Sequence, residues 1–129
     1  MIQRINPPGL STPTGYAHVV SATGGRTIYI SGQVAVDATG QLVGPGDLAA
    51  QTRQVFANLA VALEAAGATF NDVVKTNYYM RDASQVQVIR DLRARYFTTQ
   101  LPASTLVEVT RLANPGFLIE IEAIAVVAD

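Results

Sequence analysis

Between positions 48 and 66 the apolar residues Val55, Leu59 and Leu63 recur at helical spacing, with Gln51, Arg53, Gln54 and Asn58 interleaved. That is the pattern of an amphipathic helix with one buried stripe. Asp47 stands where such a helix needs an N-cap, and the pattern stops before Gly67. A second helix is expected from Asp82, which with Gln85 three residues on resembles a capping box, through Tyr96. Strands are read from β-branched and aromatic runs. Residues 18–21 and 27–31 flank the turn Thr23-Gly24-Gly25-Arg26 and predict a hairpin. Residues 73–80 form a further strand, and 105–111 and 118–127 form the last two, separated by Asn114-Pro115-Gly116. Pro7, Pro8, Gly9, Pro13 and Gly15 mark residues 1–15 as irregular, and residues 37–46 are turn-rich, with room for a short strand at 33–36.

The order β-β-α-β-α-β-β, with hairpins at both ends, predicts an α+β fold: a single mixed β-sheet with two helices on one face, in a single domain covering residues 1–129. The last strand gives the faces. Ile119, Ile121, Ala123 and Ala125 point one way and suit helix packing, while Glu120, Glu122, Ile124 and Val126 point the other and suit an interface.

Composition adds to this picture. The chain is 49% apolar and only 15% charged, with mean hydropathy +0.23. So few charges cover a small surface poorly, which predicts either a large core or an apolar face buried against other subunits, the second fitting a chain of this size better. The net charge of −1 and the lack of a basic run exclude the footprint of a nucleic-acid binder. Absence of cysteine removes disulfides, thiolate zinc sites and a Cys nucleophile together. No metal-ligand spacing occurs, Gly24-Gly25 is too short for a phosphate loop, and no cofactor is expected. The N-terminus MIQRINPPGL lacks a signal-type apolar core and no apolar run approaches about 18 residues, so a soluble cytoplasmic protein without a membrane partner is expected.

Leu101 to Val126, LPASTLVEVTRLANPGFLIEIEAIAV, with Ile30-Ser31-Gly32-Gln33, the stretch 49–67 and Val74-Lys75-Thr76, resembles the Rid family of imine and enamine deaminases, the YjgF type, also labelled L-PSP endoribonuclease-like. The resemblance extends from Gly15 to Val126. It implies the Rid, chorismate-mutase-like fold, a homotrimer around a central barrel of sheets, and ligand clefts between adjacent subunits. It also implies site residues by matching position. The cleft hydroxyls correspond to Tyr16 and Ser31, the ligand-contacting backbone to Leu106, a small cleft-wall residue to Gly32, and the acidic residue that handles water to Glu120. One position departs. Where deaminating members carry an arginine that holds the substrate carboxylate, two residues after the proline, this chain has Ser104 after Pro102 and Ala103. A guanidinium is a charged planar fork matching a carboxylate; a serine offers one neutral hydroxyl.

Imine hydrolysis needs an aimed water, a proton for the leaving nitrogen and a grip on the substrate. Glu120 suits the first, Ser31 and Tyr16 the hydrogen bonds to substrate, and Ser104 and Thr105 a neutral polar ligand. Arg90, where many members have a pocket asparagine, is the candidate to replace the grip; its alternative is a solvated helix residue paired with Asp91 or Glu64. Ser31 and Tyr16 have equally ordinary alternatives, as a strand-end hydroxyl and a packed aromatic. His18, the single histidine, reads as a strand-surface residue. The leading reading is a Rid-like hydrolase for a small metabolite, with imines of simple amino acids doubtful. The alternative is a non-catalytic trimeric module that binds a small molecule, and a ribonuclease has least support.

Overall fold

The computed structural model describes residues 1–128. Its strands are β1 (Ile2–Ile5), β2 (Val19–Ala22), β3 (Arg26–Gln33), β4 (Val73–Met80), β5 (Ala103–Glu108) and β6 (Ile119–Val127). The helices are α1 (Leu48–Ala65) and α2 (Val86–Arg93), each accompanied by a 3₁₀ turn, Phe70–Asp72 before β4 and Ala83–Gln85 leading into α2.

Four strands make a mixed sheet in the order β3-β6-β4-β5, in which only β4 and β5 run parallel. The most apolar strand, β6, takes an interior place. It is nine residues long and pairs on both edges, so its backbone groups are satisfied while Ile119, Ile121, Ala123 and Ala125 face the helices, buried as the alternation predicts. Insertion of β6 between β3 and β4 rules out the expected hairpin between the last two strands. The expected N-terminal hairpin is also absent: β2 pairs antiparallel with β1 in a separate two-stranded sheet. The architecture is therefore α+β with a mixed sheet, but not a single sheet. Residues 2–5, expected to be irregular, form β1 because alternation of half-buried Ile2 and Arg4 with exposed Gln3 and Ile5 lets them pair with β2. The short strand expected at 33–36 does not form: Gln33 closes β3 against Ile121, and Val36 makes an isolated bridge to Leu42.

Helix α1 begins where its cap requires: Asp47 accepts from the Ala50 amide at 3.0 Å, and Gly67, at φ +76°, follows the last turn. Its buried face holds Val55, Phe56, Leu59 and Leu63 but also Gln51, which the pattern had placed among the polar residues. Gln51 is core-facing because both ends of its amide are used. It donates to the carbonyls of Gly44 and Gly116 and accepts from the Leu118 amide, tying α1 to the loop that feeds β6. Helix α2 ends at Arg93, short of Tyr96. Asp82 accepts from the Ser84 amide, but the Gln85 side chain donates to the Asp82 carboxylate instead of accepting from the Asp82 amide; a reciprocal capping box occurs instead at Thr69 and Asp72. Phe56 stacks on Tyr96 with ring centroids 4.4 Å apart, and Phe70 and Phe97 close an aromatic cluster that locks α1 to the end of α2.

Candidate functional site

The expected site residues fall into two groups on opposite sides of the sheet. Register decides this. Thr76 and Tyr78 of β4 are buried under the helices, and they pair with Ser104 and Leu106 of β5, so Ser104 and Leu106 point to the helix side. Thr105 pairs with Asn77 and points the other way, where it accepts from Lys75 Nζ at 2.9 Å. It does not share the cleft of Ser104.

On the helix side, Ser104 and Leu106 form one wall of a cleft of about 330 Å³ that also holds Thr12, Thr14, Tyr16, Val86, Arg90 and Arg93. The segment 14–18 runs along β5 as an extra edge: the Ala17 amide donates to the Pro102 carbonyl at 2.9 Å and Ala17 bridges Ala103. His18 anchors this segment through its ring, 2.6 Å from the Ser11 carbonyl, and through its amide to Asn6 Oδ1, and it meets Tyr16 edge-on. Its place is thus structural support for Tyr16. Arg90 is exposed on the cleft wall, and among the described residues it forms no ion pair with Asp91 or Glu64, the expected alternative; Asp91 accepts from Gln87 at 2.8 Å.

Arg93 was not singled out from the sequence. It lies on the core-facing stripe of α2 with Val86 and Ile89, where apolar residues are the rule, and a cation in that stripe was the available signal. Arg93 is 8% exposed, and its Nη2 donates to the Thr14 carbonyl at 3.0 Å. Gly15 makes this possible: at φ +75°, a Cβ there would lie 2.5 Å from Nη2.

On the open side, Glu120 lies over Gly32, whose missing side chain makes the room; any Cβ there would collide with the Glu120 carboxylate. Ser31 and Gly32 sit at an irregularity where β3 shifts register against β6. Ser31 is exposed, in a hollow with Tyr29, Lys75, Asn77 and Glu122. Burial, and then the charge of Glu122, push the Glu120 carboxyl up from its ordinary value. Glu122 itself accepts from Asn77 and from the Tyr79 hydroxyl, at 3.0 and 2.7 Å, and that bond chiefly pushes the Tyr79 phenol up. One chain therefore brings Glu120 to Gly32, next to Ser31 in the chain, and Tyr16 to Ser104, Leu106 and Arg90, but does not bring the two groups to each other.

A mixed sheet backed by two helices is the fold this chain has in common with solved Rid family structures. The family model described as Endoribonuclease L-PSP matches residues 9–127, and the chain belongs to that family, the Rid/YjgF proteins. Among relatives, the human 2-iminobutanoate/2-iminopropanoate deaminase is 36% identical over 127 residues, 98% of this chain and 88% of that protein. A RutC family protein of Pyrococcus horikoshii is 42% identical over 111 residues, 85% of each chain. Among solved structures, the Rid family protein YyfB of Yersinia pestis, described as of unknown function, superposes with TM-score 0.91 at 40% identity over 98% of both chains. Among the described residues no helix is long and apolar enough to cross a membrane.

Proposed function

We propose that the protein is a Rid-type hydrolase of a small imine or enamine metabolite, working in the cytoplasm as a homotrimer with its sites between neighbouring copies. The observation that carries this reading is the division of the site. Tyr16, Ser104, Leu106 and Arg90 face one side of the chain and Ser31, Gly32 and Glu120 the other, so a complete site needs one group from each of two copies. Kinship with deaminases acting on 2-iminobutanoate and 2-iminopropanoate supports the reaction class.

In this reading water adds to the carbon of the protonated imine while Glu120 takes the proton of the water, giving a neutral carbinolamine. The carbinolamine then expels ammonia as the nitrogen gains a proton and the hydroxyl loses one, leaving the carbonyl product. The raised Glu120 carboxyl suits a group that must both accept and return a proton. Tyr16 and Ser31 hydrogen-bond the substrate. Ser104 withholds the charge-assisted contact that an arginine would give a carboxylate, a loss of roughly 1.5–3 kcal/mol, or about tenfold to more than a hundredfold in rate, where no other cation takes its place. Imines of simple monocarboxylic amino acids should accordingly turn over slowly. The test measures ammonia release and ligand binding in the native protein and in Glu120→Ala. An enzyme loses turnover while retaining ligand; a protein that binds ligand and shows no turnover even before substitution is the non-catalytic module instead.

A further inference from the structure

The cleft at Ser104 contains more positive charge than a neutral ligand would need. Arg90 and Arg93 both line it, and no acidic residue does. Arg93 is the more informative of the two. A guanidinium has five N–H donors, and the side-chain hydrogen bond that Arg93 makes among the described residues is the one from Nη2 to the Thr14 carbonyl. Its remaining donors are not sealed in the core: among those residues, Thr76 Oγ1 is the one fully buried side-chain polar atom without a partner. The free N–H groups therefore open onto the clefts that Arg93 lines, this one and the hollow beside it formed with Phe97, Leu101 and Asp91, whose carboxylate accepts from Gln87. Burying a cation this far without a carboxylate partner is costly, and an incoming anion removes the cost. The charge is felt locally. Burial raises the phenol of Tyr78, beneath the helix, to about 12, and Arg93 is among the groups pulling the other way.

Residues three apart on a helix are neighbours on one face, with Cβ atoms about 5–6 Å apart. Arg90 and Arg93 thus share one face of α2 and line the same cleft, one exposed and one buried. We infer that the cleft is a two-arginine site for a small dicarboxylate, with Arg93 holding one carboxylate, Arg90 the other, and the hydroxyls of Ser104 and Tyr16 completing the shell. A guanidinium matches a carboxylate in plane and charge, and a second one discriminates dianions from monoanions. This inference rests on the proposed function in taking the cleft as the substrate site, and it adds a substrate class: imines or enamines with two carboxylates, held from α2 rather than from β5.

Succinate, butanoate and inorganic phosphate serve as unreactive probes, titrated calorimetrically at pH 7 into the native protein and into Arg90→Gln, Arg93→Lys and Arg93→Gln, with thermal unfolding of each variant recorded. Succinate should bind at least tenfold more tightly than butanoate. Arg90→Gln, at an exposed position, should keep its unfolding temperature and reduce succinate affinity to the butanoate level. Arg93→Gln should weaken both acids, and Arg93→Lys should recover part of the loss. Equal binding of succinate and butanoate by the native protein, or succinate binding unchanged in Arg90→Gln, overturns the site; phosphate binding more tightly than succinate overturns the dicarboxylate assignment. Because binding is read without turnover, absence of imine hydrolysis would remove the proposed reaction and leave this site standing. Arginine-independent binding beside Glu120-dependent turnover would do the reverse.

Discussion

Glu120 shows how much one residue's surroundings decide. Its position on a strand was readable, but its proton affinity follows from lying over Gly32 on the same sheet face as Glu122. The carboxyl is raised, so the folded chain holds that proton more tightly than the unfolded one. Its contribution to stability is present at low pH and fades as pH rises through the folded value. For catalysis the carboxylate is the active form, so the acid limb of kcat/KM should lie above the ordinary carboxylate range. Glu122→Gln removes the like charge while leaving burial, and the limb should move to lower pH without returning fully; a pH–rate profile that does not move would mean Glu120 does not carry that limb. Arg93 and Gly15 are the complementary case. The sequence shows an arginine on an apolar stripe and a glycine before a tyrosine, and only the fold reveals that each makes room for the other.

Among the elements, α1 and β4 were legible nearly to the residue, because long unbroken periodicity and a capping aspartate are local signals. What the pattern misassigned was Gln51. A glutamine on a helix reads as solvent-facing, but here its amide spans from Gly44 to Gly116 and Leu118, residues 65 and 67 positions away in the last two cases. Replacing it with Leu would leave the Gly116 carbonyl and the Leu118 amide without partners at the junction of α1 and β6, while the Gly44 carbonyl would keep the Asp47 amide. Each such group costs about 1–3 kcal/mol, so a loss of roughly 2 kcal/mol or more is expected, read as a lower urea midpoint. The turn at 23–26 misled for a related reason. A good turn sequence fixes a change of direction, not which strand the emerging chain will pair with, and both flanking strands find better partners elsewhere.

For the whole molecule, the open face of the sheet is the expected seat of the oligomer. Tyr29 is 78% exposed there, on the face shared by Asn77, Tyr79, Glu122 and Ile124. Tyr29→Asp should scarcely disturb an isolated chain, since a surface change usually costs within about 0.5 kcal/mol. In a trimer it would bury a charge three times over. Sedimentation should show the native protein at about three times its 13.7 kDa chain mass and the variant as a folded monomer without turnover; a native monomer would remove the shared cleft. The sequence by itself determined the α+β class, the two helices, the inward and outward faces of β6 and the family, since these rest on periodicity and on motifs contiguous along the chain. Tertiary structure alone decided that β6 would enter between β3 and β4, that Ser104 and Thr105 would face apart, and that Arg93 would share the cleft with Arg90. Those depend on strand pairing and on contacts between residues far apart in sequence, where the outcome is set by which burial and hydrogen bonding are jointly satisfiable rather than by any local preference.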